Sequence, residues 1–299
     1  MVTRSLFTEL YAPDLRNVVF ENFSYGETEY DKIFNVVGVN KRRDLTDYDM
    51  AGFGSVPVKN EGTGIVYDDP IPGSSVTYSW TPYGKGFRIT HEAMEDELYG
   101  QMRKMAGALG RAFRNQTEIN AIALLDDAFA GATFTGFDSL ALCHTAHTNL
   151  RGGTQRNEPS TAVDISVSSL QDAMVDFEKF TDHSGVPIVV QPKTLVIAPE
   201  SIPLVKEIFG SPQKPFTADN ENNILQGWLN VVVSHYLSDS DAFFILADKS
   251  AHDLQFFWRE KFTTDSADDF DTGDGKMKGY MRSGVGFGQW QGVWGSPGV

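Results

Sequence analysis

The residues with most potential for chemistry lie close together, at Cys143, His144 and His147. A thiolate and imidazole nitrogens suit zinc, and a Cys beside a His is also an arrangement for a nucleophile and its base. A structural zinc site needs about four ligands, however, and the other histidines are isolated along the chain. Nothing local marks an activated thiol. We therefore expect a structural loop here, with zinc binding as the alternative.

A second candidate is the acidic, glycine-containing stretch at residues 265–275. A calcium loop of the EF-hand type needs carboxylates at alternate positions, then a glycine, then a glutamate. Here Gly273 stands where a ligand should be, and no Glu follows. The stretch therefore predicts a solvated loop, with opportunistic cation binding as the alternative.

The remaining motif searches argue against an enzyme. Gly-Lys-Gly at residues 84–86 and Gly-Asp-Gly-Lys at residues 273–276 lack the full spacing of phosphate-binding loops. There is no Gly-x-Ser-x-Gly nucleophile elbow. We predict no catalytic residues, no cofactor and no metal, and the function has to be inferred from architecture.

Composition restricts the class of protein. The chain has 299 residues, of which 41% are hydrophobic and 22% charged, as is usual for a folded protein of one large or two modest domains. One cysteine excludes an intrachain disulfide and fits a reducing compartment. No apolar run is long enough to span a bilayer, and no secretory signal is evident. A net charge of −15 disfavours tight binding of nucleic acid, but it does not disfavour a wall that encloses nucleic acid without binding it.

Residues 52–89 resemble a long extended excursion. Apolar and polar residues alternate around Val56 and Val58, and again around Val76, Tyr78 and Trp80. Turn-forming residues separate the two stretches. Two ordinary hairpins at a sheet edge would give this pattern. An arm that lies on another subunit also would, and we expect these five side chains to make that contact, with packing across the hairpin itself as the alternative for Val76, Tyr78 and Trp80.

Residues 90–129 predict one long helix directly after the excursion. Thr90 is a candidate N-cap, acidic residues follow it, and apolar residues recur at spacings of three and four. The alternative is two helices, broken near Gly107 or Gly110. We expect the cations on this helix to pair with acidic residues of the same or an adjacent subunit; they are Arg103, Lys104, Arg111 and Arg114.

The rest of the chain alternates helix and strand patterns. Residues 164–180 predict an amphipathic helix capped by Ser166 or Ser168. Residues 193–199 predict a buried strand that leads into a helix, and residues 229–235 and 242–246 are further apolar, strand-like runs. The fold class is therefore α+β.

Several blocks, taken in order, resemble the major capsid proteins of tailed bacteriophages with the Hong Kong phage (HK-type) fold, and most closely the Mu-like head-subunit group. The blocks are AGFG at 51–54, YGKGFRITHEAMEDELY at 83–99, SLALCHTAH at 139–147, PKTLVIAP at 192–199 and FFWRE at 256–260. The resemblance covers most of the chain, and the order of the blocks is more specific than any one of them.

The resemblance implies a division of the chain into named parts. Residues 1–51 would be an N-terminal arm, 52–89 the extended loop (E-loop), and 90–192 a P-domain with its spine helix at 90–129. Residues 193–250 would be the A-domain, and 251–299 would return to the P-domain. An E-loop that starts near residue 52 leaves no room for the long scaffolding segment of some relatives, so a separate scaffold or none is expected. Lys59 and Lys85 lie in the E-loop, but no motif identifies cross-link partners.

The implied function is that of a structural major capsid protein. It would self-assemble as hexamers and pentamers into an icosahedral head that encloses double-stranded DNA without specific binding. It would belong to the virion and assemble in the host cytoplasm, away from membranes, with a separate scaffold, portal and decoration proteins as candidate partners. An encapsulin-like protein nanocompartment shell is the alternative.

Overall fold

The computed structural model describes residues 11–39, 42–96, 99–213 and 222–299. The helices are α1 (Ala12–Ser24), α2 (Tyr30–Ile33), α3 (His91–Glu95), α4 (Tyr99–Asp126), α5 (Val167–Glu178) and α6 (Ile202–Gly210). The strands are β1 (Asn35–Val37), β2 (Leu45–Ala51), β3 (Ile71–Tyr78), β4 (Thr81–Ile89), β5 (His147–Thr148), β6 (Thr154–Gln155), β7 (Pro192–Ile197), β8 (Asn230–Val233), β9 (Phe243–Ala247), β10 (Leu254–Asp268), β11 (Gly275–Phe287) and β12 (Val293–Ser296). None of the helices in these ranges is both long and apolar enough to cross a membrane.

Two four-stranded sheets organise the described chain. The first has the order β1-β10-β11-β4, in which β1 is parallel to β10 and the other pairs are antiparallel. The second has the order β12-β9-β7-β8, with only β7 and β8 parallel. The pairs β2-β3 and β5-β6 form separate two-stranded ribbons. Helices and both kinds of strand pairing together confirm the predicted α+β class.

Helix α4 lies between α1 and the first sheet. Phe113 on α4 reaches the sheet at Gly279, where a Cβ atom would be 2.5 Å from the Phe113 ring. A side chain at residue 279 would therefore displace the ring. The opposite side of α4 packs against Leu15 and Val19 of α1, both fully buried. Residues 11–24, which the sequence assigned to an N-terminal arm at residues 1–51, are thus part of the main core, and residues 1–10 of that arm lie outside the described ranges.

The single helix predicted for residues 90–129 is divided. Thr90 caps α3 as expected, by accepting a hydrogen bond from the backbone N–H of Ala93. The helix then ends at Asp96, whose ψ of 9° departs from helical geometry. Residues 97 and 98 lie outside the described ranges. Helix α4 has 28 residues, about 42 Å at 1.5 Å per residue, so it is shorter than the single helix that we predicted for residues 90–129.

Helix α4 also stops three residues early. The carboxylate of Asp127 accepts hydrogen bonds from the backbone N–H groups of Ala132, Thr133 and Phe134, at 2.9, 2.6 and 2.8 Å. These bonds stabilise a turn in place of a further helical one. The alternative of a break near Gly107 or Gly110 is wrong, because α4 runs through both.

A second core forms around the second sheet. Helix α5 begins at a capping box in which Ser166 and Ser169 satisfy each other's backbone N–H groups. It buries Leu170 and Phe177 against β7 and β9. The C-terminal strand β12 pairs with β9, so residues 251–299 do not all return to the first sheet. The predicted P-domain and A-domain boundaries therefore do not coincide with the two sheets.

Candidate assembly surfaces

The β2-β3 ribbon carries the most exposed part of the described chain. Between the two strands, residues 52–70 form an extended loop without regular structure. Val56, Val58 and Tyr67 are 93%, 90% and 90% exposed. Removing these apolar side chains from water would stabilise the protein by roughly 25 cal/mol for each Å² of apolar surface buried. This surface could bind a partner.

The aromatic residues at the root of the ribbon have a different environment. The rings of Tyr78 and Trp80 lie 4.8 and 5.3 Å from the ring of Phe257 in β10, and both residues are buried. The indole N–H of Trp80 donates to the carbonyl of Arg42 at 3.2 Å. Val76 packs partly buried beside them. The expectation that Tyr78 and Trp80 face a neighbouring subunit is wrong, because both are buried in a small core within the chain, whereas contact with a neighbour stays a prediction for half-buried Val76.

Burial also affects the ionisation of the Tyr78 hydroxyl in this small core. The Tyr78 hydroxyl has no hydrogen-bond partner within the described ranges. Its pKa is raised, mainly by burial and further by the carboxylates of Asp253 and Asp47. The hydroxyl therefore stays protonated at any physiological pH. Contact with a neighbour stays a prediction for Val56 and Val58.

The cations of α4 contact the segment that contains α1. Arg103 lies 3.8 Å from the carboxylate of Asp14, and Arg111 donates to the side-chain oxygen of Asn22 at 2.7 Å. Arg114 donates to the carbonyl of Glu27. Among these three contacts between described residues, only that of Arg103 is the predicted pairing with an acidic group of the same chain. Lys104 is exposed and makes no ion pair with a described residue.

The loop that contains Cys143 and the two histidines is a buried polar network. Burial raises the pKa of the Cys143 thiol well above its usual range, so the thiol stays protonated and is not an activated nucleophile. The His147 ring stacks on Trp290, with 4.3 Å between the ring centroids. Its Nδ1 lies 2.5 Å from the Asp138 carboxylate, and its Nε2 lies 3.0 Å from the Asn157 side-chain oxygen.

These contacts explain the ionisation of Asp138. Burial opposes its charge, but the hydrogen bond and the charge of His147 outweigh burial and lower the pKa of this carboxyl. Asn157 also donates to the carbonyls of Leu142 and Val293 at 2.8 and 3.0 Å, which joins this loop to β12. Nothing in the local sequence marked Asp138 or Asn157, because they reach His147 only through the folded loop.

The acidic stretch at residues 265–275 spans the end of β10 and the turn into β11. Asp274 is buried, lies 3.3 Å from Arg88 and accepts a hydrogen bond from the backbone N–H of His91 at 3.2 Å. Asp269 pairs with Lys276. The carboxylate of Asp274 thus connects the turn between β10 and β11 to β4 and α3. Among the described residues, no group of three or more His, Cys, Asp and Glu side chains could hold a metal.

Comparisons with known proteins identify the family and the fold of this chain. A family model described as phage capsid protein matches residues 73–295, well over half of the chain. The chain belongs to the phage capsid protein family. It is a structural protein, and the family favours a major capsid protein over the encapsulin-like alternative. The comparison with curated proteins finds no match.

Solved capsid structures share the fold of this capsid protein at low identity. The mature capsid of bacteriophage PhiM1 superimposes with a TM-score of 0.59 at 10% identity, over 90% of this chain and 86% of that one. The procapsid of bacteriophage JBD30 gives 0.54 at 14%, over 99% and 76%. A virus-like particle from Pyrococcus furiosus gives 0.55 at 10%, over 96% and 99%. The expected HK-type fold is confirmed.

Proposed function

We propose that this capsid protein self-assembles as hexamers and pentamers into the icosahedral head of a tailed phage, and that the head encloses double-stranded DNA. The carrying observation is the exposed loop at residues 52–70, with Val56 and Val58 almost fully in solvent. A closed symmetric assembly gives each copy of the loop the same surface on its neighbour. The apolar side chains would then leave water on every subunit at once.

Charge is consistent with a wall that encloses DNA without holding it. The net charge is −15. Cationic surfaces bind phosphates by releasing counterions, and such binding would resist DNA movement during packaging and ejection. The cations of α4 with described partners are engaged within the subunit, at Asp14, Asn22 and Glu27. We propose that the inner face of the shell is neutral or acidic.

The finer assignments are proposals that rest on sequence blocks. The join at residues 83–99 and the block at 139–147 favour the Mu-like head-subunit group. A separate scaffold, a portal and decoration proteins are further partners that a head of this kind would use. Assembly would take place in the host cytoplasm, which fits a single, buried, unpaired cysteine.

Electron microscopy of the purified full-length chain tests the central proposal. We expect closed particles with hexameric and pentameric capsomers, formed by the chain alone or after addition of a scaffold. Light scattering over a concentration series gives an independent measure of mass. A chain that remains a compact monomer at high concentration under both conditions would contradict the proposal.

A further inference from the structure

The base of the exposed loop is held by a contact that neither the family nor the sequence motifs assign. Arg151 lies at the tip of the β5-β6 ribbon. Its Nη2 atom lies 2.9 Å from the carboxylate of Asp68, 3.3 Å from the carbonyl of Gly52 and 3.4 Å from the carbonyl of Asp69, and its two protons are shared among these three acceptors. One guanidinium therefore joins the outgoing limb of the loop, at Gly52, to the returning limb, at Asp68 and Asp69.

Two further bonds strengthen this junction. The Asp68 carboxylate also accepts the backbone N–H of Gly54 at 3.3 Å, which bridges the two limbs directly. The hydrogen bonds from Gly54 and Arg151 lower the pKa of Asp68, so it is charged at neutral pH. The Ser184 hydroxyl donates to the Gly52 carbonyl at 3.0 Å. Beyond this junction, residues 55–67 are all exposed.

Arg151 itself is fixed by the body of the subunit. Its backbone N–H donates to the carbonyl of His183 at 3.2 Å, which joins the ribbon tip to the turn that carries Ser184. The tip needs left-handed backbone at Gly152 and Gly153, with φ of 97° and 90°. The imidazole of His183 lies 3.3 Å from the carboxylate of Asp49 in β2. The backbone of Arg151 is thus attached to the body of the subunit, while its guanidinium contacts the loop.

We propose that Arg151 is a positioning residue for assembly, which clasps both limbs of the loop and sets the direction in which the loop leaves the subunit. This inference rests on the proposed function, since a direction matters only if the loop must meet a neighbour. A planar guanidinium suits the role because its donors have a fixed geometry, whereas a lysine offers a flexible point charge. The pair is partly solvent-exposed, with 25% and 42% of the two side chains accessible, so the clasp should affect loop presentation more than global stability.

The test compares Arg151→Gln and Asp68→Asn with Arg43→Gln, which removes a cation whose side chain is 96% exposed. The rate of amide hydrogen exchange in unassembled subunits shows whether Arg151 and Asp68 hold the base of the loop, independently of assembly. We expect amide exchange at residues 52–54, 68 and 69 to rise by roughly fivefold, or about 1 kcal/mol, in the first two variants. The unfolding temperature should stay unchanged, and Arg43→Gln should match the wild type.

Electron microscopy of the same variants then shows how many closed shells form and how regular they are. We expect Arg151→Gln and Asp68→Asn to give fewer closed shells and more open or irregular particles, with Arg151→Lys between them and the wild type. Exchange at the loop base unchanged in both variants, or shells of normal yield and size from both, would overturn the proposal. A wild-type chain that forms no shells overturns the proposed function instead, and the exchange measurement still decides whether the clasp exists.

Discussion

Gly110 of α4 lies directly against the main-chain carbonyl of Val19 in α1. A Cβ atom built on Gly110 would be 2.3 Å from that oxygen, far inside van der Waals contact. The oxygen belongs to helix backbone, so it cannot rotate away as a flexible side chain could. The missing side chain thus lets the two helices approach closely and places α1 in the main core.

We therefore expect Gly110→Ala to destabilise the subunit, by about 1–3 kcal/mol from overpacking. This loss should outweigh the gain of up to about 1 kcal/mol that alanine brings to a helix interior. Gly100 is the matched control, since it lies in the same helix with nothing within 4 Å of its Cβ position. Denaturant unfolding of both variants gives the comparison. Equal stability of Gly110→Ala and wild type would refute the close packing.

The exposed apolar loop should be needed for assembly but not for folding. Replacing Val56 and Val58 together with aspartate should leave the unfolding free energy within about 0.5 kcal/mol, because both side chains are in solvent. Closed shells should be lost, because charges would be buried at the contact. Asn60→Asp adds a charge to the same exposed loop and is the control. Shells of normal yield from the double variant would exclude the loop as a contact.

His147 should act in structure and not in metal binding. Its imidazole joins Asp138 to Asn157 inside the protein, so His147→Gln should cost about 1–3 kcal/mol by leaving buried polar groups unsatisfied. His144 is only half-buried, and His144→Gln should cost less. Elemental analysis should find no stoichiometric zinc in the wild type. One zinc per chain, lost in both variants, would reverse this interpretation.

His252 should make the subunit sensitive to acid. Burial, reinforced by the nearby charge of Lys249, lowers its pKa to about 4. The unfolded chain, with a pKa near 6.5, therefore binds a proton between these pH values that the folded chain does not bind. The contribution of His252 to the free energy of unfolding is fully present above pH 6.5. It is lost as the pH falls towards 4, which lowers the free energy of unfolding by up to about 3 kcal/mol.

The measurement is the free energy of unfolding across this range in the wild type and in His252→Gln. The variant should lose less stability on acidification, and the difference isolates this group from the carboxylates. His91→Gln, in which an exposed histidine is changed, is the control and should follow the wild type. Parallel curves for the wild type and His252→Gln would show that His252 does not titrate as described.

The acidic chain should not hold DNA. With a net charge of −15, the free subunit should show no tight binding to duplex DNA even at low salt, where attraction to phosphates is strongest. Fluorescence anisotropy of a labelled duplex over a salt series gives the measurement. Tight binding that weakens steeply with added salt would contradict the proposed neutral or acidic inner wall.

Local signals in the sequence were enough for several elements. The caps at Thr90 and Ser166 and the apolar run that became β7 each depend on residues within a few positions of one another. Such signals act through backbone hydrogen bonds and side-chain periodicity, which the chain carries before it folds. The order of sequence blocks likewise predicted the capsid fold, which the family match and the superpositions confirm.

Contacts between distant residues were decided only by the tertiary structure. Tyr78 and Trp80 alternate as an exposed arm would, yet Phe257 covers them from a strand far along the chain. No local pattern in the sequence indicates that β12 pairs with β9. Nor does any pattern indicate that Arg151 contacts Gly52 and Asp68. The periodicity of apolar residues indicates only that one face of a strand or helix is apolar. Whether that face packs against its own chain or against a neighbour depends on which surfaces the fold brings together.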